Sequence, residues 1–203
     1  MRRPAVSAEA GSSTEERILR AAYACFERFG VAKTTIEDIA QGAGVSRPTV
    51  YKYFGGKEAI LDEISQRETH KVNAEVRAHL VRLPNFADFL TETLLLVVRF
   101  ASRNPYIRRM TESHEFQIQS MQRSSTMYQL QQEWWSGLLR HAAETKELAP
   151  DLEMDEVISW LSHTQSLLLI YIENPEIDDP ALRRMIRRFV VEPLLAQPGS
   201  MRA

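Results

Sequence analysis

KTTIEDIAQGAGVSRPTVYKYFGGK, residues 33–57, decides how the chain folds. It reads as two short helices joined by a tight turn. Thr34 and Thr35 are candidate N-caps, with Glu37 or Asp38 placed to close a capping box, and Ile36, Ile39 and Ala40 form an apolar stripe at helical spacing. A helix therefore starts near Thr35. Gly42 and Gly44 bracket its end, where a left-handed residue lets the chain turn without a Cβ clash. Ser46 caps the second helix, and Pro48 falls in its first turn, where a missing N–H has no helical partner to lose. Val45 and Val50 face inwards, which leaves Arg47, Thr49, Tyr51, Lys52 and Tyr53 facing out.

This pattern resembles a helix-turn-helix whose second helix enters the DNA major groove. The threonine pair, D-I-A, A-G-V-S and then T-V-Y-x-Y-F-x-x-K narrow the match. Over about Ser13 to Leu61 the chain resembles the DNA-binding domain of the tetracycline-repressor (TetR) family of bacterial transcription regulators. The resemblance implies an all-α fold: an N-terminal three-helix DNA-binding domain over residues 12–72, including the start of a connecting helix, and a helical effector-binding and dimerisation domain over 73–203. It also implies a repressor that leaves its operator when a small molecule binds, with no cofactor.

Carried over position by position, the family's contacts fall on Thr34, Thr35, Ser46, Arg47, Pro48, Thr49, Tyr51, Tyr53 and Lys57. Arg47 is the natural base reader, because a guanidinium can bond the O6 and N7 of guanine together. Thr49 can touch a thymine methyl or a phosphate. Tyr51, Tyr53 and Lys57 look like phosphate contacts, as do Thr34 and Thr35 at a helix N-terminus. Gly55-Gly56 before Lys57 departs from the family pattern, in which a polar cap residue is commoner.

Outward from the motif, the chain has 203 residues and a formal net charge of −2. That total conceals a basic front: residues 1–57 hold nine Lys/Arg against six Asp/Glu, leaving sixteen against twenty-one for 58–203. A mildly basic front suits phosphate contact, and an acidic remainder is repelled by DNA. The single cysteine, Cys25, excludes an intramolecular disulfide, fits a reducing cytoplasm and is read as a small buried residue. Apolar runs such as Leu94–Val98 and Leu167–Ile172 are too short to span a membrane, and no apolar segment follows Arg2 and Arg3 to make a secretory signal.

Residues 1–11 lack periodicity and read as a disordered arm, although Arg2 and Arg3 could reach a minor groove. Ser13 and Glu16 open the first helix, whose apolar face is Ile18, Leu19, Ala22, Cys25, Phe26 and Phe29, ended by Gly30. Lys57 to about Leu80 has no breaker. Its middle, Gln66 to Lys71, is polar all round and predicts a solvent-exposed bridge. Asn85 and Asp88 open a helix apolar on both sides, and Asn104-Pro105 opens a short one. A long helical stretch from Glu115 to about Glu147, with a possible interruption at 122–125, puts Met127, Leu130, Trp134 and Leu138 on one face. The last two helices, about 155–172 and from Asp179-Pro180, carry Val157, Ile158, Leu161, Leu167, Leu168 and Tyr171, then Leu182, Met185, Ile186, Phe189 and Val190. Arg183, Arg184, Arg187 and Arg188 are read as a solvated face.

One recognition helix reads too few base pairs, so a two-fold homodimer on double-stranded operator DNA is expected. The resemblance puts its interface on the last two helices, and places a small lipophilic effector among the helices of 86–172. Candidate walls are Phe100, Tyr106, Met110, Phe116, Met127, Tyr128, Trp134 and His163; of the adjacent Trp134 and Trp135, about 100° apart on a helix, at most one faces a cavity. An enzyme is not expected, since the five histidines are isolated and no H-E-x-x-H, C-x-x-C, G-x-S-x-G or phosphate loop occurs. Glu112, His114 and Glu115 are read as a surface cluster rather than a metal site. The rival reading is a helix-turn-helix protein that acts mainly through a protein partner, without a small-molecule effector.

Overall fold

A computed structural model describes residues 13–80, 83–111, 118, 122, 124–172, 174 and 176–196. The chain divides into two compact units, one ending at Ile64 and the other starting at Ser65. The fold is all-α: the one β-type pairing among the described residues is an isolated bridge between Leu148 and Leu195.

The first unit packs α1 (Thr14–Phe29), α2 (Ile36–Ala43), α3 (Arg47–Phe54) and the opening turns of α4 (Lys57–His79). Ser13 caps α1 by accepting from the Glu16 N–H, and the backbone N–H of Gly30 closes it on Phe26. Ile18, Leu19, Ala22, Ile39, Val50, Ile60 and Ile64 are wholly excluded from solvent and form the core. Cys25 is buried beside them, and desolvation, followed by the charge of Asp38, pushes its thiol pKa up, so it stays a neutral thiol. Phe29 departs from expectation. It is 42 % exposed, with the Arg28 guanidinium 5.0 Å from its ring centre, because the last turn of α1 runs beyond the core.

The second unit holds the rest of α4 with α5 (Phe86–Arg103), α6 (Pro105–Thr111), α7 (Thr126–Glu144), α8 (Met154–Tyr171) and α9 (Asp179–Ile186), followed by a π turn (Arg187–Val191) and a 3-10 turn (Glu192–Leu194). Side-chain caps start four of these helices: Asn85 on α5, Asn104 on α6, Ser125 on α7 and Asp178 on α9, each accepting an N–H of its first turn. Asp178, not Asp179, is thus the cap of α9. Leu90, Leu94, Leu95 and Val98 make α5 central, packed with Trp135 and Leu139 of α7, Leu161 of α8 and Ile186 of α9.

Several sequence expectations are corrected here. The middle of α4 is no exposed bridge: Ser65 and Glu68 are buried, and Glu68 accepts hydrogen bonds from Asn104 Nδ2 at 2.6 Å and Lys71 Nζ at 2.7 Å. Asn104 Oδ1 in turn accepts from the N–H groups of Tyr106 and Ile107, so one buried carboxylate ties α4 to the start of α6. The arginines of the last helix are not uniformly solvated, since Arg183 pairs with Glu92 and Arg187 with Asp88, both on α5. On α7 the buried face is Trp134, Trp135, Leu139 and Ala142. Leu167, Tyr171 and Phe189 are exposed while Thr164 is buried: α8 is apolar on two sides, so pattern alone cannot rank its faces, and Phe189 falls in the π turn beyond α9. The arm of residues 1–11, Phe116 and the Glu112, His114 and Glu115 cluster lie outside the described residues.

Leu94 makes contacts on every side. Leu94→Ala should lower the stability of the second unit by about 2–5 kcal/mol, whereas Leu96→Ala at a half-buried position should cost far less, as read by urea unfolding followed by circular dichroism.

Candidate nucleic-acid interface and effector cavity

The α2–α3 turn is built from local chemistry. Thr35 and Asp38 form a reciprocal capping box, with Thr35 N–H to Asp38 Oδ2 at 2.9 Å and Asp38 N–H to Thr35 Oγ1 at 3.2 Å. Gly44 takes φ +65 at the end of α2, a conformation costly for any residue with a Cβ, and Val45 N–H bonds back to Ala40 O at 3.0 Å. Arg17, which the sequence pattern does not single out, clamps this turn from α1. Its Nη2 donates to Ala43 O at 2.6 Å and Gly44 O at 3.2 Å, satisfying carbonyls that the helix end leaves free. The clue was an arginine one turn inside α1 with no acidic partner.

Ser46 caps α3, with Pro48 in its first turn. Gly55, at φ +73, ends it, which explains the Gly-Gly departure before Lys57: a left-handed stop is needed there more than a polar cap. Val50 is the one buried residue of α3. Ser46, Arg47, Pro48, Tyr51 and Tyr53 are exposed and Thr49 is half-buried, so α3 offers a continuous polar and aromatic outer surface. Tyr51 and Tyr53 are each 46 % exposed. Arg47 Nη1 lies 2.6 Å from Glu37 Oε1 on the first turn of α2, and a hydrogen bond to Tyr51 and then the Glu37 charge raise its pKa further.

Three expected contacts look different in three dimensions. Thr34 is buried and its hydroxyl donates to Gly30 O at 2.8 Å, so that side chain holds the α1–α2 loop and does not face outwards. Thr35 is exposed, but its hydroxyl points to Asp38 Oδ2 at 2.6 Å. Lys57, half-buried, reaches back to Val31 O at 3.4 Å.

The second unit contains a cavity of about 510 Å³, walled by α4, α5, α6, α7 and α8. Met110, Met127, Tyr128 and His163 line it, whereas Phe100, Tyr106 and Trp134 do not. Phe100 stacks instead against His79, ring centres 4.9 Å apart, and Trp134 is buried under the Arg77 guanidinium. The walls are richer in hydroxyl and amide groups than the sequence suggested, among them Ser65, Thr69, Asn73, Ser162 and Gln165. Ser65 donates to the sulfur of Met110 at 2.9 Å, and the buried Gln165 Oε1 has no hydrogen-bond partner among the described residues. No cluster of metal-ligating side chains occurs among the described residues.

Residues 18–64, which span this turn and both its helices, match the profile of bacterial regulatory proteins of the tetR family. Those residues carry the DNA-binding domain of that family. With this domain the chain is a DNA-binding transcription regulator and not an enzyme. A helix-turn-helix-type transcriptional regulator of Mycobacterium tuberculosis, Rv1255c, is 26 % identical over 190 residues, covering 92 % of this chain and 88 % of the relative. In fold, the chain is similar to a tetR-family transcription regulator from Shewanella sp. PV-4, with TM-score 0.71 and 18 % identity over 91 % of this chain and 100 % of the other. It is also similar to RolR in complex with its ligand resorcinol, with TM-score 0.69 and 15 % identity over 91 % and 88 % of the two chains. These likenesses in fold extend through both units, well beyond the matched motif.

The Thr35 hydrogen bonds, side chain first and backbone second, hold the Asp38 carboxyl below its ordinary pKa. A depressed carboxyl stabilises the folded state fully above the unfolded value of about 3.9 and loses that contribution as pH falls through the folded value. The helicity of the first unit should therefore drop on acidification below about pH 4, and Asp38→Asn should flatten that part of a circular dichroism titration while starting from a less stable protein.

Proposed function

We propose that this chain is a repressor that grips operator DNA as a two-fold dimer and lets go when a small molecule fills the cavity of its second unit. The observation that carries the reading is the outer surface of α3: Ser46, Arg47, Pro48, Tyr51 and Tyr53 exposed around a single buried anchor, Val50. In this reading Arg47 reads a guanine edge, Thr49 touches a thymine methyl or a phosphate, and Thr35, Tyr51, Tyr53 and Lys57 meet phosphates. Thr34 acts indirectly, by setting the start of α2.

Dimerisation is assigned to the last two helices. Trp160, Leu167 and Ile170 of α8 are 53, 53 and 66 % exposed, and Phe189 is 65 % exposed, a concentration of large apolar side chains that favours a second copy as cover. The effector is assigned to the cavity lined by Met110, Met127, Tyr128 and His163. It is small, with a lipophilic body against the methionines and a hydrogen-bond donor for Gln165 Oε1, since a buried carbonyl left unpaired favours a ligand that satisfies it. Ser65, Thr69 and Asn73 of α4 are among the walls, so the ligand would act directly on the helix whose first turns belong to the DNA-binding unit. Release then follows if the ligand prefers a body shape in which the paired heads cannot both engage, by the reciprocity of binding linkage. Reducing cytoplasm is the compartment this role requires.

Fluorescence anisotropy on duplexes from the DNA upstream of the gene, titrated with salt, tests the reading. Lys57→Ala should weaken binding to every sequence alike and lower the salt slope by about 1, while Arg47→Ala should lose about ten-fold or more on operator DNA and little on random DNA. Equal losses on both would remove Arg47 from base reading. Sedimentation should give a dimer at micromolar concentration, converted to monomer by Trp160→Glu; a monomeric parent would overturn the assembly.

A further inference from the structure

We infer that Glu37 is a positioning residue for DNA specificity: it holds the Arg47 guanidinium by one edge, aims the other edge at a base, and keeps it off the phosphates. The inference rests on Arg47 reading a base, as proposed above. Glu37 belongs to α2, ten residues before Arg47, and is no part of the recognition helix. Yet its Oε1 lies 2.6 Å from Arg47 Nη1, with 61 % of its side chain and 52 % of the arginine's exposed. Tyr51 stands one turn further along α3 and is itself 46 % exposed. The Glu37 carboxylate therefore holds the arginine before any DNA arrives.

Three physical consequences follow. A guanidinium has five N–H donors in a fixed planar fork, so a carboxylate can occupy one edge and leave another for the O6 and N7 of guanine. An arginine already restrained loses less conformational freedom when it docks, which favours the one geometry that a base edge accepts. The Glu37 charge also opposes phosphate, and a bare arginine beside the duplex would pair with phosphate on any sequence. Glu37 thus lowers affinity for random DNA and raises discrimination, two effects that a residue needed only for folding could not produce together. Its capacity for helix capping is not required, because Asp38 already fills the capping box of α2.

The test is selection of binding sites from a random duplex library by the full-length protein, followed by anisotropy on the selected duplex and a scrambled one. Parent, Glu37→Gln, Glu37→Asp, Arg47→Ala and the Arg47→Ala/Glu37→Gln double variant are compared. Glu37→Gln should bind the scrambled duplex about two- to five-fold more tightly, the scale of an exposed ion pair, with a salt slope steeper by about 1. Its preference at one base of each half-site should weaken, Glu37→Asp should restore part of that preference, and Glu37→Gln should change nothing once Arg47 is alanine. An unchanged preference in Glu37→Gln, or an equal loss of affinity on both duplexes, would overturn the inference alone. If Arg47→Ala itself leaves base preference intact, the base-reading assignment falls and the role of Glu37 falls with it.

Discussion

An eight-residue helix has no independent stability in water, so α3 exists only as far as its surroundings hold it. One side chain, Val50, anchors it in the core, and its ends are set by the Ser46 cap and the left-handed Gly55. The approach of the chain to α3 is fixed by Gly44 and by the Arg17 clamp on the preceding carbonyls. The economy has a purpose. Every residue of α3 spent on packing would be lost to the outward surface, and local caps substitute for the apolar contacts that a longer helix would make.

The second unit solves the opposite problem. Its central helix, α5, is apolar on both sides and buried along most of its length. The buried carboxylate in this interior is paired, Glu68 lying beneath Asn104 and Lys71. Arg183 and Arg187 on the last helix reach Glu92 and Asp88, fastening the C-terminal end onto the central helix through charge as well as through Leu182 and Ile186.

What could be read from the sequence divides along the same line. Caps and stops depend on residues three or four apart, so Ser13, Thr35, Ser46, Asn85 and Asn104 announced their helices, and the match to the motif followed. Side chains whose partners lie far along the chain could not be read that way. Glu68 meets Asn104 thirty-six residues on, and Arg187 meets Asp88 across ninety-nine, which is why a buried strut looked like a solvated bridge and two ion pairs looked like a free charged face. Thr34 shows the same limit at short range, because a threonine beside a helix start can serve the loop as well as a ligand. The cavity was legible only in part: Met110, Met127, Tyr128 and His163 were anticipated from residue type, while Phe100 and Trp134 are equally bulky and simply fill the core.

The tryptophans offer an optical consequence. All three, Trp134, Trp135 and Trp160, fall in the second unit, so ultraviolet emission from the indoles is blind to the DNA-reading head and reports on the body alone. Trp134 and Trp135 sit edge to face with ring centres 6.5 Å apart in a dry interior, while Trp160 is half in solvent. A single spectrum therefore mixes a buried pair with one indole whose access to a water-borne quencher falls when a second copy covers it, so quenching would follow pairing of the subunits without any label.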